Sequence, residues 1–169
     1  MKKSITGPKI SSDFLKVIRL IAKFKSVGIN KRAIFKELKN LYWQLDEPAR
    51  YHVIVELIKS RYREALNFFK NVLSKDESEL IRHEVAFGIG VMGTAKYQSV
   101  LVDVLKKDSA QIVRHEAAIA LATVGNKACV KILKETINNP QEKKVVIESA
   151  RYSFNIILGN IQMERKNKE

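Results

Sequence analysis

The chain of 169 residues holds one cysteine, three prolines, seven glycines and one tryptophan. A lone Cys129 excludes an internal disulfide framework and fits a reducing compartment. So little proline and glycine excludes collagen-like and low-complexity sequence, and an apolar content of 46% excludes disorder. No stretch reaches the roughly 18 consecutive apolar residues of a membrane span. The opening residues Met1 to Pro8 carry lysines with no apolar segment behind them, so a cytoplasmic protein is expected. The motifs G-x-x-x-x-G-K-[ST], H-E-x-x-H and G-x-S-x-G are all missing.

Acidic groups are also scarce. Thirty-one Lys and Arg face eighteen Asp and Glu, for a net charge of +13. Residues 1–80 carry 17 basic and 9 acidic groups, and residues 81–169 carry 14 and 9, so neither half accounts for the excess alone. Such a field favours a polyanionic partner: nucleic acid, an acidic protein or an anionic surface. A lysine-rich solvated surface is the plainer reading of the same numbers.

What is present is periodicity. Ile81-Arg82-His83-Glu84-Val85-Ala86-Phe87-Gly88-Ile89 returns 32 residues later as Val113-Arg114-His115-Glu116-Ala117-Ala118-Ile119-Ala120-Leu121. Each copy is followed by a glycine at a helix-ending position, Gly93 or Gly125, and then by a second amphipathic stretch. Fainter copies extend both ways: Leu41, Leu73, Leu105 and Ile137 are spaced by 32, and Phe154 follows Leu121 by 33. The chain therefore reads as one all-α domain over 1–169. Its helix pairs lie near 12–42, 49–74, 80–107 and 112–138, with a closing helix over 145–158 and a ragged tail over 159–169. Such pairs bury their apolar faces only by stacking, so the expected architecture is an α-solenoid. The tetratricopeptide and ankyrin signatures are absent, and short HEAT-type repeats fit best.

At about 100° per residue, Ile81, Val85, Gly88, Ile89 and Met92 form one apolar stripe, as do Val113, Ala117, Ala120, Leu121 and Val124. His83 and His115 lie away from these stripes, beside the small residues Ala86 and Gly90, and Ala118 and Ala122. Small neighbours leave room either for a ligand or for a closely packed helix. Helices stacked about 8–10 Å apart would let the two imidazoles lean onto one ion. With Glu84 and Glu116 each one residue further on, the set His83, Glu84, His115 and Glu116 suits iron, manganese or zinc. A repeat copied without selection for metal would look the same. The third histidine, His52, falls in the glutamate slot of an earlier copy. Cys129, Tyr42-Trp43 and Phe68-Phe69 read as packing residues, and 76–79 as helix N-terminal charge.

The two His-Glu motifs, with Leu101-Val102-Asp103-Val104-Leu105 between them and Ala120-Leu121-Ala122-Thr123-Val124-Gly125 after them, resemble deoxyhypusine hydroxylase over about residues 80–158. That family is a HEAT solenoid of two similar halves, each presenting two His-Glu motifs to a di-iron centre that activates O₂. The resemblance implies that His83, His115 and Glu116 are metal ligands, and that Glu84 is a ligand or faces a substrate amine. It implies iron as cofactor and a non-haem monooxygenase-like activity. Two motifs are half of that complement, and a homodimer would restore four. The other reading is a non-catalytic HEAT scaffold that binds an acidic protein partner or nucleic acid through a basic groove.

Overall fold

The computed structural model describes residues 12–26 and 28–167; the opening segment read above, Met1 to Pro8, lies outside them. The chain forms two compact units, divided between Ser60 and Arg61. In the first, α1 (Ser12–Lys25), α2 (Lys31–Tyr42) and α3 (Glu47–Lys59) pack together. Polar caps start two of them: Asn30 accepts from the Ala33 N–H, and Asp46 from the Ala49 N–H, with Pro48 in the first turn of α3. Val17, Leu20, Ile21 and Phe24 of α1 meet a core that includes Ile34, Phe35, Leu38, Tyr42, Val53, Ile54 and Leu57. Lys25 reaches the buried Glu56 at 2.5 Å. Burial pushes the Glu56 carboxyl up, but Lys25 outweighs it and the group sits below the usual range. Tyr42 is fully buried, as expected, whereas Trp43 is exposed: the helix stops at Tyr42, and the capping residue turns outward.

The second unit alternates long and short helices: α4 (Leu66–Lys75), α5 (Glu79–Met92), α6 (Gln98–Lys107), α7 (Gln111–Val124), α8 (Val130–Ile137) and α9 (Lys144–Lys166). Short 3₁₀ turns at Arg63–Ala65, Ala95–Tyr97 and Lys127–Cys129 lead into α4, α6 and α8. Helices α5, α7 and α9 stand side by side as one layer, while α4 packs on α5, α6 on α7 and α8 on α9. This is the stacking of an all-α solenoid. Both apolar stripes read from the sequence are buried, together with Leu101, Leu105, Leu133, Val146, Ala150 and Ile157. Phe68, Phe69 and Cys129 are buried as well. The closing helix runs past 158, where the sequence reading had a ragged tail. Exposed Gly159 does not interrupt it, and Arg165 and Lys166 in its last turn suit the negative end of the helix dipole.

Gly93 and Gly125 cap α5 and α7, and both have negative φ values of −73° and −76°. Glycine is needed there for proximity: a Cβ would run into the carbonyl oxygens of Ile89 and Leu121.

One polar device recurs from repeat to repeat. Arg82 grips Asp108 through two bonds, Nε to Oδ2 at 2.8 Å and Nη2 to Oδ1 at 2.9 Å. Its Nη1 donates to the carbonyls of Asp76 and Glu77 at 2.9 and 3.0 Å. Arg114 copies the arrangement, with Glu142 at 3.1 and 2.7 Å and the carbonyls of Asp108 and Ser109 at 2.8 and 3.0 Å. Each guanidinium thus ties the loop before its own helix to the loop one pair further on. Burial pushes the Asp108 carboxyl up, but Arg82 and the Ala110 N–H outweigh it, and the group lies below its ordinary value. Glu142 is lowered in the same way, burial being outweighed by Arg114 and the Lys143 N–H.

Removing one member of such a pair leaves a desolvated charge. Arg82→Ala is therefore expected to lower unfolding free energy by about 3 kcal/mol in a denaturant titration. Arg82→Lys should recover only part of the loss, because an ammonium cannot bind bidentately. With folded-state values lowered, the stabilisation from Asp108 and Glu142 is complete above the ordinary carboxylate range near pH 4 and lost as pH falls further. The Arg82→Ala penalty should accordingly shrink in acid.

Candidate metal centre

The four candidate ligands sit on neighbouring helices of the α5–α7–α9 layer. His83 and Glu84 are on α5, and His115 and Glu116 on α7. The 32-residue repeat with the one-residue step from His to Glu brings His83 against the following copy's glutamate. His83 Nε2 stands 3.5 Å from Glu116 Oε2, with the two side chains 30% and 10% exposed. His83 Nδ1 is buried and lacks a hydrogen-bond partner. Burial raises the Glu116 carboxyl above its usual value; His83 opposes the shift and Glu84 adds to it.

His115 makes the equivalent contact one helix later. Its Nδ1 lies 2.6 Å from Ser149 Oγ on α9. Ser149 Oγ is also 2.8 Å from the Val145 carbonyl, which can only accept. The single hydroxyl hydrogen goes to that carbonyl, so Ser149 accepts from His115 and the proton is assigned to Nδ1. Nε2 is then the nitrogen left to ligate, the arrangement in which an outer partner holds a ligating histidine. Ser149 was not singled out from the sequence. The signal was the 33-residue step from Leu121 to Phe154, which places Ser149 in the slot of Glu116.

The flank of small residues is filled by helix packing. Ala86 and Ala118 are fully buried, and Ser153 Oγ donates to the Ala118 carbonyl at 2.6 Å. A Cβ on Gly90 would come within 2.9 Å of Ala120 Cβ. Of the two uses the sequence allowed for these residues, close approach of a neighbouring helix is the one found. His52 belongs to the first unit, its ring 5.9 Å from that of Phe14. Cys129 donates weakly to Gln98 Oε1 at 3.4 Å, and burial raises its thiol.

Two donors, His83 Nε2 and Glu116 Oε2, face one another at a spacing that a shared cation can span, since metal–ligand bonds of about 2.0–2.2 Å put adjacent ligands roughly 3–3.5 Å apart. A third, His115, has its tautomer set. Among the described residues no group of three or more His, Cys, Asp or Glu side chains converges as a metal cluster. Of the candidate set, His83 and Glu116 are the pair that the structure brings together.

The HEAT-repeat model matches residues 33–122 and 66–154. The chain belongs to the HEAT-repeat family. Human deoxyhypusine hydroxylase, solved in complex with glycerol, is a structural neighbour with a TM-score of 0.50 and 24% sequence identity. The alignment covers 90% of this chain and 46% of that one, so this HEAT protein spans less than half of its neighbour's length. At that identity the likeness is one of fold. No curated protein matches the chain. Among the described residues no helix is long and apolar enough to cross a membrane.

A raised carboxyl stabilises the folded state below the ordinary carboxylate range, and that contribution is lost as pH rises through the folded value. At neutral pH the buried Glu116 therefore costs stability. Glu116→Gln is expected to raise the melting temperature of the metal-free protein by about 2–4 °C, equivalent to about 1 kcal/mol. The gain should fade in acid when melting is followed by calorimetry across pH.

Proposed function

We propose that this chain is an iron-binding HEAT-repeat protein related in design to one half of deoxyhypusine hydroxylase, working in the cytoplasm as a homodimer. The observation that carries the reading is the His83–Glu116 pair: a buried carboxylate whose facing group is an imidazole, on adjacent helices. His83, His115 and Glu116 are the metal ligands, and Glu84 is a further ligand or the group that meets a substrate cation. Iron held by imidazoles and carboxylates with open positions supplies oxygen chemistry. Ser149 orients His115, and burial of Glu116 excludes water from one side of the pair.

Each chain offers two His-Glu motifs, and the surface around them suits a second copy. Leu80, Phe87 and Val91 form an exposed apolar stripe on α5, running past Glu84. Val145, Tyr152 and Ile156 repeat it on α9, past Ser149. A two-fold contact through this layer would bury both stripes and bring the ligands of two chains together. The net charge of +13 favours the second reading, a non-catalytic scaffold, which takes over if iron is refused.

The test is anaerobic reconstitution with Fe(II), followed by metal analysis of the size-resolved peak and light scattering. The expected result is stoichiometric iron in a dimer. His83→Ala should abolish binding, and Ser149→Ala should weaken it about 10–100-fold, the usual effect of losing an orienting partner. Protein that stays metal-free while folded sinks the iron reading. A metal-loaded monomer sinks the dimer alone.

A further inference from the structure

The charge excess is not shared between the two layers of the second unit. Residues 63–75, 95–107 and 127–137, which form α4, α6, α8 and the turns leading into them, carry nine Lys and Arg against three Asp and Glu. Helices α5, α7 and α9 carry six against five. Arg63, Lys75, Lys96, Lys106, Lys107, Lys127, Lys131 and Lys134 are all exposed. Among the described residues, Lys107 pairs with Asp103 at 3.0 Å and Lys131 with Glu135 at 3.9 Å. Between α4 and α6 runs a groove of about 570 Å³, with Lys70, Lys75 and Lys107 on its walls. Three carboxylates line it as well: Asp108 is held by Arg82, Asp103 pairs with Lys107, and Asp76 is buried at its edge, so the cations of the flanking helices rather than the groove floor carry the excess.

The same layer lacks apolar anchors. The exposed large hydrophobic side chains of this unit all lie on α5 and α9, and none on α4, α6 or α8. A protein partner draws its affinity from a few buried aromatic or aliphatic anchors, and this face offers none. A phosphate backbone needs only cations and hydrogen-bond donors, regularly spaced. Asn67, Asn71, Ser74 and Ser99 supply exposed polar groups between the lysines. An exposed aromatic on which to stack unpaired bases is also missing from this layer, which points to a duplex rather than a single strand.

We infer that the outer face of α4, α6 and α8 is a docking surface for the phosphate backbone of duplex nucleic acid, bound without regard to sequence. It lies on the layer opposite the His-Glu motifs and is independent of the iron reading. The test is fluorescence anisotropy of the full chain with a short mixed-sequence DNA duplex over a salt series, with polyglutamate as competitor. The logarithm of the affinity should fall linearly with that of salt, by about 0.9 per phosphate contacted. Lys96→Glu, Lys106→Glu and Lys134→Glu combined should weaken binding about tenfold or more at low salt, where each phosphate contact counts most. These side chains are exposed, and circular dichroism will show the fold retained. Lys144→Glu, Arg165→Glu and Lys166→Glu on α9 remove the same charge from the other layer and should leave most of the affinity. Failure to bind the duplex at low salt, an affinity that ignores salt, or equal losses in the two triple variants would each overturn the proposal. So would polyglutamate displacing the duplex at equal charge, which would make the face a site for acidic protein.

Discussion

The second unit depends on a guanidinium that spans two loops. Arg82 and Arg114 each close a bidentate bridge to a carboxylate one helix pair further along, and each also collects two carbonyls from the loop behind. The bridge fixes both the spacing and the rotation of successive helices, because a planar fork tolerates little error in either. Close packing of Gly90 on Ala120 and the Ser153 bond to the Ala118 carbonyl hold the same helices from within the layer. In that register His83 meets the residue one step beyond its own copy, and His115 likewise. The geometry of the candidate centre thus rests in part on arginines that do not touch it.

That linkage explains what could be read from the sequence. The 32-residue echo of Arg-His-Glu set the helix pairs, their stacking and the buried stripes, since all three follow from period alone. It also placed His83, Glu84, His115 and Glu116 in one layer. The partner of each histidine was harder, because period says which helices are neighbours and not which atoms meet. Ser149 was hidden by a step of 33 into α9, and the asymmetry of charge by a net figure that counts residues without placing them. Trp43 misled because helical spacing stops informing at the residue where the helix ends.

The buried carboxylate gives the site its tension. Glu116 is held in a place where burial opposes its charge and an imidazole is its facing partner, while Glu84 nearby makes ionisation harder still. A stacking device copied only for structure has a cheaper solution at hand, which the chain itself uses. In the next copy a serine stands in the glutamate slot, and His115 bonds to it at 2.6 Å with no buried charge at all. Two successive repeats thus make the same contact differently, one with a buried charge and one without.

The two layers of this unit are specialised in opposite ways. The long helices keep their charges nearly balanced, expose apolar stripes and carry the histidines; the short helices expose lysines and no large apolar side chain. A surface that served solubility alone would not need this separation, since lysines scattered over both layers do that equally well. Concentrating the excess in one layer leaves the other nearly balanced, with less repulsion between like charges to oppose an apolar contact there. One layer can then pair with a second copy while the other remains open to a polyanion. The solenoid makes this possible because each repeat adds one helix to each layer, and a substitution in one layer leaves the period of the other untouched.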